Sequence, residues 1–107
     1  MARAVAEAED IARRAVDEAR KHIPVMDAVL FGSYAEGVPH EWSDIDLAIF
    51  SPAVDSMSLR EYLDTCRAIS KPSGYEVEVH LFGEERRRNA RPSNFAGYIL
   101  THGKRIA

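Results

Sequence analysis

The sequence predicts one α/β domain, built on a small mixed β-sheet with helices packed mainly on one face. Its length of 107 residues supports one hydrophobic core but not two. Hydrophobic residues make up 46% of the chain and charged residues 29%, the balance of an ordinary globular protein. Apolar residues alternate in some segments, as in β-strands, and recur every three or four residues in others, as in helices. We therefore expect a single domain over residues 1–107 with a sheet of three or more strands.

Two long segments have the apolar periodicity of amphipathic helices. Residues 2–22 carry a stripe rich in alanine, and Pro24 closes this helix. Residues 59–70 follow Ser58, which we expect to be the N-cap, with Glu61 completing a capping box. One face of this second helix is expected to pack on the sheet, through Leu59, Tyr62, Leu63, Cys66 and Ile69.

Three strands are expected at about 25–31, 43–50 and 75–82, and the helix between the second and third predicts a strand–helix–strand unit. Side chains of the third strand alternate between an apolar face and an acidic face. The apolar face carries Tyr75, Val77, Val79 and Leu81. The other face carries Glu76, Glu78, His80 and Phe82.

The chain after the third strand is expected to hold one more helix. Residues 83–91 contain four arginines and are interpreted as a charged connection. It is either a solvated surface segment or a flexible clamp for triphosphate or an acidic partner. Ser93 is expected to cap the last helix, Gly103 to end it, and residues 104–107 to form a short tail. The packing stripe of this helix is predicted to consist of Phe95, Tyr98, Ile99 and His102.

The strongest chemical pattern joins a Gly-Ser turn to a pair of aspartates. Asp44 and Asp46 alternate with apolar residues, so they share one face of the second strand, with backbone positions about 6.5 Å apart. Gly32 and Ser33 follow the first strand where a short helix begins, and the N–H groups of a helix start suit a phosphate. Burying neighbouring carboxylates without a cation is costly, so the pattern predicts a divalent metal beside a phosphate site.

The spacing of Gly32-Ser33, ten intervening residues and Asp44-x-Asp46 resembles the signature of the polymerase-beta-type nucleotidyltransferase superfamily. The short chain resembles the minimal nucleotidyltransferases of that superfamily. The resemblance implies transfer of a nucleoside monophosphate from an NTP, such as ATP, to an acceptor hydroxyl, with two Mg²⁺ ions at the site. It implies that Asp44 and Asp46 hold both ions, and that Gly32 and Ser33 bind the β and γ phosphates.

A third metal carboxylate on the third strand is also implied by the resemblance. Glu78, which is flanked by two valines, matches the superfamily pattern and would join the ion that lowers the pKa of the acceptor hydroxyl. Strand parity alone does not choose between Glu78 and Glu76, so Glu76 stays as the alternative. Two features differ from the usual pattern. Aspartate is commoner than glutamate at the third position, and Tyr34 and Glu36 stand where an arginine usually follows the Gly-Ser pair.

The resemblance further implies a partner protein. Minimal members commonly act with a separate helical HEPN-domain protein as a toxin–antitoxin pair, in which the nucleotidyltransferase is the antitoxin and adenylylates the toxin. We therefore expect such a partner or self-association. The competing hypothesis is a non-catalytic module of the same fold that binds Mg-NTP, or only the partner. The base of the NTP and the identity of the acceptor stay open.

Composition narrows the remaining function classes. The net charge of −3 argues against a broad electrostatic surface for nucleic acid. The absence of a long apolar run and of a signal peptide predicts a cytoplasmic protein that does not bind membranes. Cys66 is the single cysteine, and its place on a helical stripe predicts a buried thiol instead of a reactive nucleophile.

Overall fold

The computed structural model describes residues 5–36 and 44–107. In chain order the helices and strands are α1 (Val5–Ala19), β1 (Asp27–Phe31), α2 (Ser33–Glu36), β2 (Ile45–Phe50), α3 (Leu59–Ser70), β3 (Val77–Phe82), α4 (Glu84–Arg88), α5 (Phe95–His102) and β4 (Lys104–Arg105). Short 3₁₀ turns at Pro52–Ser56 and Lys71–Ser73 flank α3. Residues 2–4 of the predicted first helix and Ser43 of the predicted second strand lie outside the described residues. None of the described helices is long and apolar enough to cross a membrane.

The four strands form one mixed sheet in the order β3-β2-β1-β4. β1 pairs antiparallel with β2 and with β4, while β2 pairs parallel with β3. A parallel pair needs a crossover, and α3 supplies it, which confirms the predicted strand–helix–strand unit. The prediction of a tail at residues 104–107 is wrong. Lys104 and Arg105 form the strand β4, which pairs with Leu30 and Val29 on the outer edge of β1. Two charged residues in a row show no apolar alternation, so the sequence did not predict a strand there.

The main core lies between the sheet and the helices α1 and α3. The buried residues of α1 are mostly alanines, whose small side chains allow the helix to approach the sheet closely. The buried side chains of this helix are Ala8, Ala12, Ala15, Val16 and Ala19. They join buried residues from β1, β2 and α3, among them Leu30, Leu47, Ile49 and Ile69. The two longest helices therefore share one face of the sheet, as predicted.

The N-terminus of α3 has the predicted capping box. The Ser58 hydroxyl accepts from the Glu61 amide at 3.1 Å, and the Glu61 carboxylate accepts from the Ser58 amide at 3.3 Å. The predicted packing face is wrong in part, because Leu59 and Leu63 are 75% and 52% exposed. The helix instead packs Tyr62, Cys66 and Ile69 against the core.

Hydroxyl groups from α3 and the following turn cover the outer edge of β3. The Tyr62 hydroxyl accepts from the Leu81 amide at 3.1 Å, which explains why Tyr62 and not Leu63 faces the sheet. Further along, the Ser70 hydroxyl donates to the Val77 carbonyl at 2.6 Å, and the Val77 amide donates to the Ser73 hydroxyl at 3.3 Å. An edge strand exposes unpaired backbone groups, and these bonds satisfy several of them.

Cys66 lies beside Tyr62 and is half-buried, with no disulfide. Burial raises the pKa of its thiol to about 11, against a weaker opposing effect of the Tyr62 hydroxyl. The thiol is therefore protonated at neutral pH, as expected for a packing residue.

A smaller core covers the opposite face of the sheet. Buried residues of α5, Ala96 and Ile99, pack there against Val29, Phe31, Ala48, Phe50 and Phe82. The N-cap of α5 is Asn94 and not Ser93, since the Asn94 side chain accepts from the Gly97 amide at 2.9 Å. Gly103 follows α5 as predicted. The predicted stripe is wrong for three of its four members, because Phe95, Tyr98 and His102 are exposed and only Ile99 is buried against the sheet.

Residues 83–91, which were predicted to be a charged connection, contain a short helix, α4. Arg87 of α4 forms an ion pair with Asp27, which is 3% exposed at the start of β1. Arg105 of β4 approaches the same carboxylate at 3.3 Å. A buried carboxylate requires such partners. One aspartate therefore ties α4 and β4 to β1.

We expect Tyr62→Phe to lower the free energy of unfolding by about 1 kcal/mol, because the Leu81 amide loses its acceptor at a partly buried position. Tyr75→Phe is the matched control, since Tyr75 is 59% exposed. Urea unfolding of both variants and the wild type measures the difference. Equal stabilities for the two variants would show that the hydroxyl does not protect the edge of β3.

Candidate active site

The acidic face of the sheet is centred on β2 and β3. The parallel register places Asp46 of β2 directly opposite Glu78 of β3, so the two side chains project from the same face. On the other side of β2, Asp46 is paired with Phe31 at the end of β1. Asp44 is exposed and comes immediately before β2. The structure therefore brings Asp46 and Glu78 together and leaves Asp44 at the solvent-facing rim.

In this register the pKa of the Glu78 carboxylate is raised, first by burial and then by the negative charge of Asp46, with Asp44 adding to the effect. The neighbouring His80 acts in the opposite direction. Repulsion between like charges is what a bound cation would relieve.

Glu76 does not share this site. Glu76 precedes β3, which begins at Val77, and it follows Tyr75, whose φ angle is 65°. Glu76 instead lines a groove with residues of α1, the helix that packs on the opposite face. Of the two glutamates considered from the sequence, only Glu78 lies beside Asp46.

His80 completes a three-residue cluster that the sequence analysis did not single out. Its Nε2 lies 3.5 Å from Oδ1 of Asp46 and 3.7 Å from Oε1 of Glu78. One donor atom from each of the three side chains falls within 4.8 Å of the others. The signal was present in the sequence, since His80 follows Glu78 by two positions and therefore shares its face.

Gly32 approaches the cluster from the end of β1. Its φ angle of +78° lies in the left-handed region, and a Cβ atom there would stand 2.5 Å from Oδ2 of Asp46. Both the backbone conformation and the available space therefore require glycine. Ser33 begins α2 directly after it. The Gly-Ser turn and the carboxylate of Asp46 are thus adjacent.

A cleft of about 710 Å³ lies beside His80 and runs along the outer part of β3. Aromatic and apolar side chains line much of it, including Tyr62, Phe82 and Phe95. Arg86 and Asn89 contribute polar groups from α4 and the residue that follows it. The arginines of residues 83–91 are therefore divided: Arg86 borders the cleft, whereas Arg87 is held by Asp27.

Comparison with known proteins assigns this arrangement to a family. The sequence model of the nucleotidyltransferase domain matches residues 12–101. The chain belongs to the nucleotidyltransferase domain family. This confirms the resemblance carried by the Gly-Ser pair and the two aspartates. No curated protein sequence matches the chain.

Solved structures agree with the family at the level of the fold. A toxin–antitoxin complex with AMP-PNP is 23% identical, with a TM-score of 0.60, and the match covers 90% of this chain and 72% of that one. A mutant of the toxin–antitoxin pair MntA–HpeT is 21% identical, with a TM-score of 0.58 and the same coverage. A putative nucleotidyltransferase from Sulfolobus solfataricus is 19% identical, with a TM-score of 0.55, over 82% of this chain and 81% of that one. The nucleotidyltransferase domain thus has the small mixed α/β fold predicted from its sequence.

We expect Glu78→Gln to change the pH dependence of stability in the metal-free protein. The raised pKa means that the folded chain binds more protons than the unfolded chain between the two pKa values, so wild type loses stability as pH rises through that window. At pH 7 in EDTA the variant should be more stable by up to about 0.5 kcal/mol, a small gain because Glu78 is 56% exposed. The gain should vanish below about pH 4, where the unfolded glutamate is protonated.

Urea unfolding across pH measures this difference, with Glu85→Gln as a control that removes an exposed glutamate of α4. A Glu78→Gln effect that is independent of pH, or destabilising at pH 7, would contradict the electrostatic origin.

Proposed function

We propose that the domain transfers a nucleoside monophosphate, AMP in the first instance, from a Mg²⁺-bound NTP to a hydroxyl of a partner protein. In this role it serves as the antitoxin of a cytoplasmic toxin–antitoxin pair. The observation that carries the proposal is the pairing of Asp46 with Glu78 across parallel strands beside the Gly-Ser turn. Membership of the nucleotidyltransferase family supplies the reaction class.

The residues present fit a divalent cation. Two carboxylates face one another, and the pKa of Glu78 is raised partly by the negative charge of Asp46. Hard oxygen ligands of this kind suit Mg²⁺. We assign Asp44 and Asp46 to both ions and Glu78 to the ion on the acceptor side. When bound, Mg²⁺ neutralises triphosphate charge and lowers the pKa of a coordinated hydroxyl.

The Gly-Ser turn is assigned to the triphosphate. Gly32 leaves no side chain between the turn and Asp46, so the backbone allows phosphate oxygens and the carboxylate site to be neighbours. Ser33 begins α2, where backbone amides and the hydroxyl donate to the β and γ phosphates. These contacts orient the α-phosphate toward the carboxylates.

The acceptor is assigned to the side of β3. Gly32 and Ser33 lie at the end of β1, whereas Glu78 and the cleft lie at β3. The strand β2, which carries Asp46, stands between β1 and β3 in the sheet. Glu78 is 56% exposed, so a hydroxyl of another protein has access to it. Placing nucleotide and acceptor on opposite sides of the carboxylates gives the in-line arrangement that phosphoryl-group transfer requires.

Two of the similar structures are toxin–antitoxin complexes, and one of them is described with AMP-PNP. These neighbours support a toxin as the partner and an adenine nucleotide as the donor. A helical protein of the HEPN type is the partner that the resemblance of the sequence implies. Self-association is the alternative arrangement.

A non-catalytic module of the same fold is the second candidate function, and one observation favours it. Tyr34 occupies the region where the superfamily usually has an arginine, and it is 2% exposed within the main core. It therefore contributes packing and not phosphate binding. Such a module would bind Mg-NTP, or only the partner, without transfer.

We expect Mg²⁺ together with ATP to raise the melting temperature more than either alone, because a ligand that binds only the folded state stabilises it by mass action. At about 100 times the dissociation constant the gain is about 2.7 kcal/mol. Asp46→Asn should keep or improve the stability of the metal-free protein, since it removes one of two facing charges, and should abolish the Mg²⁺-dependent part of the gain. Asp44→Asn should behave in the same way.

Differential scanning fluorimetry with Mg²⁺, and with EDTA in its place, makes the measurement. Equal shifts for ATP under both conditions would reject the metal site, and unfolding of the aspartate variants would assign the aspartates a structural role.

We expect Glu78→Gln to leave nucleotide affinity within about two-fold of wild type while lowering transfer steeply, by about 100-fold or more. A group that acts mainly in the transition state affects rate more than ground-state binding. Glu76→Gln, a variant of the glutamate that lies away from the cluster, should change neither property. Label transfer from α-labelled ATP to the partner protein, measured beside nucleotide affinity, separates these outcomes. Loss of transfer in Glu76→Gln alone would exchange the roles of the two glutamates, and a wild type that binds nucleotide but never transfers would favour the non-catalytic module.

A further inference from the structure

We propose that His80 is a metal ligand, so that Asp46, Glu78 and His80 form a mixed nitrogen and oxygen site that favours a transition-metal ion such as Zn²⁺ or Mn²⁺. The inference rests on the proposed function only in taking the acidic face as a metal site. It adds a ligand from outside the three carboxylates, and with it a different metal preference at the acceptor-side position.

The distances from Nε2 of His80 to the two carboxylates fit one small ion. Nε2 of His80 lies 3.5 Å from the nearest Asp46 oxygen and 3.7 Å from the nearest Glu78 oxygen. Ligand atoms that share an ion at bond lengths of about 2.1 Å stand about 3–4 Å from one another. The two contacts are longer than hydrogen bonds, so the imidazole is near both carboxylates without being bonded to either.

The burial of Nε2 is the second, independent observation. This nitrogen has almost no contact with solvent and no hydrogen-bond partner among the described residues. A buried polar atom normally has a partner, and one that lacks it marks the place of an ion or water. Because Nε2 lies close to the two carboxylates, a cation bound between them is within its reach.

The imidazole ring is held in this orientation by aromatic side chains. Phe31 meets it edge-on, with ring centroids 5.1 Å apart, and Phe95 does so at 6.5 Å. Phe31 lies in β1 opposite Asp46, while Phe95 begins α5, so two separate elements pack against the ring. A ligand held by its surroundings loses little rotational freedom on binding.

Ligand chemistry gives the preference. Carboxylates and water suit Mg²⁺, whereas imidazole is a good ligand for Zn²⁺ and other transition metals and a poor one for Mg²⁺. Addition of an imidazole to the two carboxylates therefore raises affinity for transition metals without a matching gain for Mg²⁺. The three side chains supply one nitrogen and two oxygens and leave room for substrate oxygens.

The test measures binding of Zn²⁺ and of Mg²⁺ to the full chain without nucleotide, by isothermal titration calorimetry. His80→Gln should weaken Zn²⁺ binding by about ten-fold or more and change Mg²⁺ binding by less than about two-fold. The matched control is His22→Gln. His22 also lies beside a carboxylate, 3.4 Å from Glu18, but it follows α1 and is not part of the cluster. It should change neither affinity. Zn²⁺ affinity of His80→Gln within two-fold of wild type would overturn the proposal.

A direct signature in the wild type covers the case in which His80→Gln does not fold. On titration with Zn²⁺, the Nε2 resonance of His80 in ¹⁵N spectra should move to the position of a metal-bound imidazole nitrogen, while the resonances of His22 stay in place. An unchanged Nε2 resonance at saturating Zn²⁺ would also overturn the proposal. The result is distinguishable from the fate of the proposed function. If His80 coordinates Zn²⁺ in a protein that never transfers label, this inference stands and the proposed enzymatic function is rejected. If transfer is active and the Nε2 resonance does not move, the enzymatic function stands and this inference is rejected.

Discussion

The parallel pairing of β2 with β3 is the constraint on which the rest of the site depends. Because α3 carries the chain back to the same end of the sheet, the two strands run in the same direction and Asp46 comes to lie opposite Glu78. The hydrophobic neighbours of these acids, Ile45, Leu47 and Val77, are buried on the opposite face and fix the register. A shift by one residue would expose them. Packing of the core therefore enforces the repulsion between two carboxylates, and the chain retains a charge cluster that binding of a cation would stabilise.

A second electrostatic contact positions the outer parts of the site. Asp27 is buried at the start of β1, where Arg87 of α4 and Arg105 of β4 share its carboxylate. This contact fixes α4, whose residue Arg86 borders the cleft beside His80. Loss of one arginine would leave the carboxylate with a single partner in a buried place. Core packing thus positions the acidic cluster, whereas an ion pair positions the helix α4 that borders the cleft.

Sequence patterns predicted the features that depend on local chemistry. The capping box at Ser58 and Glu61 formed as expected, since it needs only residues three positions apart. The alternation of apolar and acidic residues in β2 predicted which face of the sheet Asp46 occupies. The spacing from the Gly-Ser pair to the aspartates indicated the family that the comparison confirmed. The roles assigned to Asp44, Asp46 and Glu78 stay predictions, as do those of Gly32 and Ser33.

What the sequence did not predict depends on contacts between distant residues. β4 exists because β1 offers it an edge, and the burial of Asp27 depends on arginines 60 or more positions away. Tyr62 was predicted to face the sheet, but helical periodicity contains neither the bond of its hydroxyl to the Leu81 amide nor the exposure of Leu59 and Leu63. Glu76 precedes β3 and lines a groove with residues of α1, a contact that alternation along a strand does not contain. In each case a contact between distant residues, which no local pattern contains, decides the outcome.

The hydroxyl bonds along β3 also limit how the proposed partner protein could reach the site. An extended peptide that added itself to the sheet would need the outward backbone groups of Val77 and Leu81, and these are bonded to Ser70, Ser73 and Tyr62. Strand addition there would have to displace three hydrogen bonds. The cleft beside His80, by contrast, is open and lined by side chains of β3, α4 and α5. The acceptor of the proposed reaction would therefore enter as a side chain inserted into the cleft and not as a strand added to β3, and its recognition would depend on the shape and polarity of that cleft.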